Sequence, residues 1–256
     1  MRAHQTFGTT PERSNRQATE RRARAGQVLN RAYDLLGKCT LFSGLSAEER
    51  AALSARARVQ TYNAGEIIFS MSSAGNQMMA LLSGTIRISL PLAQGKELFL
   101  AIIQPGEIFG ELAVLDGHER SAEAVADSNC SVAIWERNDI LSLFERNPSM
   151  WPSLVRVLVE RLRRTDQNFA DVALLELPIR LAKTLLRILR GKTSSAGIKD
   201  VRIRFSQRDL ANMVGSSRES VNKCLRNWQR KGVLRLSEGS ITITNCRALE
   251  HIADLA

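Results

Sequence analysis

The chain has 256 residues, with 36 Lys/Arg, 26 Asp/Glu and three His giving a formal net charge of +10. That length allows one large domain or two small ones, and no apolar run reaches the length of a membrane span or secretory signal, so a cytoplasmic protein is expected. The four cysteines, Cys39, Cys130, Cys224 and Cys246, lie far apart with no CxxC spacing, which argues against a zinc ribbon or iron–sulfur cluster and for reduced core thiols.

Residues 1–38 are predicted to be a basic tail, with eight Lys/Arg against three acids. Arg, Thr, Ser and Gln dominate its first 26 positions and large apolar groups are almost absent, the composition of a disordered segment. Its RRAR run suits DNA phosphates or simple solubility, and a transit peptide is disfavoured because the tail lacks an apolar face.

Residues 39–149 form the next unit. Its glycines at 65, 75, 84, 95, 106 and 117 recur every nine to eleven residues, with short β-prone runs such as EIIF, TIRISL, ELFLAII and SVAIW between them or after them. Short strands with turn signals at that interval predict an antiparallel sandwich or barrel. Helices are predicted on either side, in SAEERAALSARA and NDILSLFERN. From residue 39 to 175 there are twelve Lys/Arg against sixteen acids, so the middle of the chain is mildly acidic.

The hydrophobic period then changes. Trp151, Val155, Leu158, Leu162, Thr165, Phe169 and Val172 are spaced alternately by four and three residues, the seam of a coiled coil over three heptads. An amphipathic helix on the domain's own core would show a looser pattern, so residues 150–175 are read as a helix pairing with its copy through Val155, Leu158, Leu162, Phe169 and Val172. Pro178 suits the first turn of a new helix, which places a hinge near 172–177. Gly191 is expected to close that helix before a flexible loop, GKTSSAGIKD.

Residues 176–256 hold sixteen Lys/Arg against seven acids, a basic balance that points to a polyanion, nucleic acid first. The run FSQRDLANMVGSSRESVNKCLRNWQRKGVLRLSEGSITITN reads as helix, tight turn, helix, hairpin. Ser206 and Asp209 make a capping-box start, Ala211 permits a close helix crossing, Gly215 makes the turn, and Val221 and Leu225 face the core. With a hairpin turning at Glu238-Gly239 this is a winged helix-turn-helix. Arg218 can read guanine, Glu219 can accept from cytosine, Asn222 and Lys223 continue that helix, and Ser216, Ser217 and Ser220 suit phosphates. A competing reading ties Glu219 into a capping box with Ser216.

One stretch remains, GELAVLDGHERSAEA from Gly110 to Ala124, where a glutamate and an Arg-Ser pair stand among small residues. With GSSRESVNKCL it carries a resemblance to the cyclic-AMP receptor protein and FNR superfamily of bacterial transcription regulators. The resemblance implies an α+β chain: a double-stranded β-helix (jelly-roll) cyclic-nucleotide-binding domain, a long dimerisation helix and a winged helix-turn-helix domain. It further implies cyclic AMP or cyclic GMP as allosteric ligand, with no metal. Glu111 would take the ribose hydroxyl, and Arg120 and Ser121 the cyclic phosphate, aided by backbone N–H groups at Gly110 to Leu112. Thr165 and Asp166 would meet the base. The implied partners are palindromic double-stranded DNA, a second copy of the chain and RNA polymerase.

The chain departs from the family pattern in places. Ser72-Ser73 stands where a Gly-Asp turn is common, Lys223 where arginine is common, and the loop from Glu111 to Arg120 looks one residue short. Asp166 is unusual; a carboxylate there can accept two hydrogen bonds from guanine and only the N6 amine from adenine, unless it pairs with Arg163 one turn back. Three alternatives compete. A cupin-type metalloenzyme would need clustered ligands, whereas His4, His118 and His251 are scattered and no catalytic triad or P-loop appears, so no enzyme is expected. A regulator sensing haem, a redox signal or no ligand at all is disfavoured by the intact Glu111/Arg120 pair. A purely ligand-binding module is disfavoured by the winged helix.

Overall fold

The computed structural model describes residues 37, 39–92, 97–190, 201–203, 205–237 and 240–255. The expectations for the N-terminal tail, for Gly95, for Gly191 and its loop, and for the Glu238-Gly239 turn fall outside these residues. Two compact units are present: Met1–Ile86 with Ile103–Ser121 and Val125–Val157, and Arg87–Ile102 with Ala122–Ala124 and Leu158–Ala256.

Among the described residues the first helix of the first unit is α1, Ala47–Arg56, started by a reciprocal capping box between Ser46 and Glu49. Strands β1 (Arg58–Tyr62), β3 (Gln77–Ser83), β6 (Ile108–Phe109) and β8 (Cys130–Glu136) make one antiparallel sheet in the order β1-β8-β3-β6. A second four-stranded sheet runs β2-β7-β4-β5, from Ile67–Phe69, Glu123–Ala126, Ile86–Pro91 and Glu97–Ile103. The fold is the expected β-sandwich. The four quoted β-prone runs became β2, β4, β5 and β8.

Three of the remaining four strands lacked a legible signal for separate reasons. Strand β3 is apolar through MMALL and buried along nearly its whole length, so it shows no alternation. Strand β1, RVQTY, is polar, and β6 has two residues. The centre of the core is Trp135, fully buried, whose indole N–H donates to the Leu53 carbonyl at 2.8 Å and so ties β8 to the end of α1.

Helix α2, Glu111–Asp116, lies between β6 and β7, and α3, Arg137–Arg146, follows β8. A 3₁₀ turn at Pro148–Met150 leads into α4, Trp151–Leu174, 24 residues long as the heptad run predicts. The break falls at Leu175 and Glu176, and α5 runs Leu177–Arg190 with Pro178 in its first turn, where a missing N–H costs nothing.

Within the second unit this break is held by cations. Arg180 Nη1 donates to the carbonyls of Val172 and Leu175 at 3.1 and 3.2 Å, placing positive charge on the carbonyl end of α4. Buried Asp171 accepts from Gln167 at 3.0 Å and Arg187 at 3.1 Å, with the Lys183 ammonium 3.8 Å away. A charge that buried survives only when so paired.

Helix α6, Gln207–Met213, begins with the predicted Ser206/Asp209 capping box. It ends in a Schellman motif: Gly215 is left-handed at φ +59°, Ser216 N–H donates to the Ala211 carbonyl at 3.0 Å and Gly215 N–H to Asn212 at 3.4 Å. Helix α7, Arg218–Arg230, follows, and Val221, Leu225 and Trp228 are its buried face. The wing has three strands where the sequence indicated two. Strands β10 (Leu234–Ser237) and β11 (Ser240–Ile243) pair, and β9 (Val201–Ile203) adds to β11. Helix α8, Cys246–Ala253, closes the unit.

Candidate functional site

The first cluster forms where β6 runs into α2. Gly110 is the N-cap of α2 in the left-handed region at φ +73°, and a Cβ there would meet Arg120 Nη1 at 2.6 Å, so only glycine allows the guanidinium this close. Glu111 and Arg120, a carboxylate and a guanidinium nine residues apart in sequence, are 2% and 4% exposed. The two charges are therefore not a solvated pair at the surface. Burial depresses the Arg120 pKa and the neighbouring Glu111 charge pushes it back up.

Two acceptors hold the guanidinium: the Gly110 carbonyl takes Nη1 at 2.6 Å and the Gln77 carbonyl takes Nη2 at 2.7 Å. The buried Nε–H has no hydrogen-bond partner within the protein. A donor left so costs about 1–3 kcal/mol unless something accepts from it, and an anion is the acceptor best matched to a cation. The first-turn N–H groups of α2, at Glu111 and Leu112, are not needed by the helix itself and add donors on the same stretch. Ser121 is exposed and free to join them. A phosphate monoanion fits this chemistry.

The backbone of Arg120 is held as firmly. Its N–H donates to the Ser73 carbonyl at 2.9 Å and its carbonyl accepts from Ser72 N–H at 2.8 Å. Ser72 is in the left-handed region at φ +62°, a conformation uncommon outside glycine. Gln77, Phe69 and this turn were not read as site residues. Gln77 acts through its backbone carbonyl, which leaves no side-chain signature, and Phe69 reads in sequence as one more apolar strand residue.

On α4 the predicted seam is an uncovered apolar stripe: Val155, Leu162, Phe169 and Val172 are 54%, 60%, 76% and 45% exposed, and Leu158 is half-buried. Val159 and Leu174 extend it beyond the residues the heptads picked out. Thr165 is exposed, its hydroxyl donating to the Arg161 carbonyl at 3.1 Å, which still leaves its oxygen able to accept. Asp166 is exposed too, and among the described residues no ion pair joins it to Arg163.

The second cluster is α7. Ser217 is its N-cap, and its hydroxyl oxygen accepts from Ser220 N–H at 3.1 Å. The capping box between Ser216 and Glu219 therefore does not form, and the Glu219 carboxylate stays at the surface. Arg218, Glu219, Ser220 and Lys223 are exposed, Ser216 is partly so, and Asn222 is half-buried with an Oδ1 that has no partner within the protein. Arg218 also lines a cavity of about 370 Å³ with Ser206, Gln207 and Arg208 from the start of α6 and Ser237 from the wing. Those α6 and wing residues were not read from the sequence as site residues. Their polarity is common on any surface, and only the fold brings them beside Arg218. Cys224 is pushed up to about 11 by burial, so this thiol is not a reactive group at neutral pH.

Fold and clusters together define a winged helix-turn-helix protein joined to a small-ligand β-sandwich. Residues 59–147 match the family described as "Cyclic nucleotide-binding domain", and residues 179–252 that described as "Crp-like helix-turn-helix domain". The CRP-like cAMP-activated global transcriptional regulator of Mycobacterium tuberculosis is 30% identical over 221 residues, 86% of this chain and 99% of that one. The cyclic AMP receptor protein of Thermus thermophilus is 33% identical over 213 residues, 83% and 96% of the two chains. The c-di-GMP responsive global regulator CLP of Xanthomonas campestris superposes with a TM-score of 0.70 at 20% identity, over 78% of this chain and 99% of that one. The chain belongs to the CRP/FNR family of DNA-binding transcription regulators, a family without enzymatic activity. No helix among the described residues is long and apolar enough to cross a membrane.

Proposed function

We propose that the protein is a homodimeric, cyclic-nucleotide-responsive transcription regulator of the cytoplasm. In this reading residues 39–149 bind the nucleotide, 150–175 dimerise and 176–256 bind a palindromic site. The observation that carries the ligand half is Arg120, an almost fully buried guanidinium on a glycine cradle, with one buried N–H still to satisfy. Glu111 takes the ribose hydroxyl, and Arg120, Ser121 and the N–H groups of Gly110 to Leu112 take the phosphate. Thr165 and Asp166 read the base. The relatives whose names include cyclic AMP support the ligand class. Cyclic AMP and cyclic GMP are both admitted, and Asp166 favours the second relative to a hydroxyl at that position.

The DNA half uses Arg218 and Glu219 on base edges, Asn222 and Lys223 further along the same helix, and Ser216, Ser217 and Ser220 on phosphates. The uncovered stripe on α4 supports a two-fold dimer, since apolar area of that extent on a helix seeks a partner face. The ligand acts only as far as it binds the DNA-competent arrangement more tightly than the other. RNA polymerase is the further partner in this reading.

The test is a calorimetric titration with cyclic AMP and cyclic GMP alongside a gel shift on palindromic DNA with and without each. Binding of either nucleotide with a matching gain in DNA affinity is expected; no heat with both would overturn the ligand half. For assembly, Leu162→Asp is expected to give monomers by light scattering that fail on palindromic DNA. An intact dimer would put the interface elsewhere.

A further inference from the structure

Phe69 has no part in the site as described so far, yet its ring is the surface on which the Arg120 guanidinium rests. The guanidinium carbon stands 4.3 Å from the ring centroid, and the Phe69 ring is itself stacked on Phe109, centroids 6.0 Å apart and planes 24° apart. Phe109 is the residue before Gly110, so one short segment supplies both the brace for the ring and the carbonyl that takes Nη1. We infer that Phe69 is a positioning residue for an anionic ligand: its π face holds Arg120 in the one orientation that keeps the Nε edge available. This rests on the nucleotide reading above.

The argument is one of preorganisation. A guanidinium has five N–H groups, and hydrogen bonds to two carbonyls fix two of them but not the tilt of the plane. An aromatic face within about 6 Å attracts the cation and defines that plane, more strongly in a desolvated site such as this. Replacing the ring by an aliphatic group keeps the apolar volume and removes the plane. Arg120 would then spend only part of its time aimed at the ligand, and the apparent dissociation constant rises by the inverse of that fraction. With both carbonyls still in place, about a three- to tenfold loss is expected.

The experiment is calorimetry of the full chain with cyclic AMP and with cyclic GMP, for wild type, Phe69→Leu and Phe69→Tyr. Phe69→Leu is expected to weaken binding by about three- to tenfold, and Phe69→Tyr, which restores a π face, to return it to within about twofold of wild type. Rescue by Tyr is what a purely space-filling Phe69 would not show, since Leu fills comparable apolar space without a hydroxyl. Unchanged affinity in Phe69→Leu, or no recovery in a folded Phe69→Tyr, overturns the assignment. Thermal melts of Phe69→Leu, Arg120→Met and the double variant separate this from the nucleotide reading. If wild type binds neither nucleotide, that reading fails, while the melts still decide on Phe69: the double variant should lose less than the sum of the single shifts, and strictly additive shifts sink the proposal. If Phe69→Leu does not fold, Phe69→Tyr and Phe69→Trp carry the decision, because a large affinity drop in either folded chain overturns it.

Discussion

Two regions of this molecule use the same pair of residue types in opposite ways. In the sandwich, Glu111 and Arg120 are buried, and the cation is held by two carbonyls and an aromatic ring before any ligand arrives. On α7, Arg218 and Glu219 stand side by side at the surface, exposed and with no burial to fix them. The difference follows from the size of what each would grip. A small anion must be enclosed, so the protein meets the desolvation cost in advance and places its charges in a low-dielectric pocket where each contact counts more. A DNA groove is larger than any pocket the chain can build, so the charges stay hydrated and flexible until the duplex itself excludes water.

Four substitutions would break or sharpen that contrast, taken from the largest effect down. Arg120→Ala removes a preorganised cation and is expected to weaken cyclic-nucleotide binding by about 100-fold or more, the scale of charge-assisted hydrogen bonds lost in a dry site. A calorimetric loss under about fivefold would mean that the buried cation is structural only.

Arg218→Ala is expected to cost about 1–3 kcal/mol on a specific palindrome while sparing random DNA, because an exposed arginine earns its contribution from one guanine edge. Equal weakening on both DNAs in a filter-binding titration would reassign it to a phosphate. Asp166→Ser should lower the ratio of cyclic-GMP to cyclic-AMP affinity by a few-fold, about the contribution of one hydrogen bond. A constant ratio leaves Asp166 without a part in base choice. Ser72→Gly should stabilise the free chain by about 1 kcal/mol, since it relieves the left-handed backbone at φ +62° beneath Arg120. A fall in melting temperature would show that the serine side chain contributes more than its strain costs.

How far the sequence could be read differs between the same two regions. The helix-turn-helix was legible residue by residue, because its determinants are local: Ser206 and Asp209 cap within one turn, Gly215 bends the next, and Val221 and Leu225 repeat at helical spacing. The competing reading there, a capping box from Ser216 to Glu219, does not form, because Ser217 is the N-cap and its hydroxyl takes the Ser220 N–H.

The cluster around Arg120 was legible only in part. Glu111 and Arg120 stand out as charges among small residues, but α2 did not, because six residues carry too little periodicity to detect. Strand β3, which supplies the Gln77 carbonyl, is an unbroken apolar run from Met78 to Leu82 and gave no alternation.

By itself the sequence determined the class of fold, the order of the parts, the heptad stripe and the residues that bear charge, since composition, period and capping are properties of neighbours along the chain. Only the tertiary structure decided what those charges meet. It brought Phe69, Ser72 and Gln77, more than forty residues before Arg120 in all cases, around one guanidinium. It also set Ser206 to Arg208 and Ser237 beside Arg218 in one cavity. The physical reason is that a backbone carbonyl or an aromatic face has no sequence signature of its own. Its partner is fixed by strand register and chain reversal, which long-range packing sets.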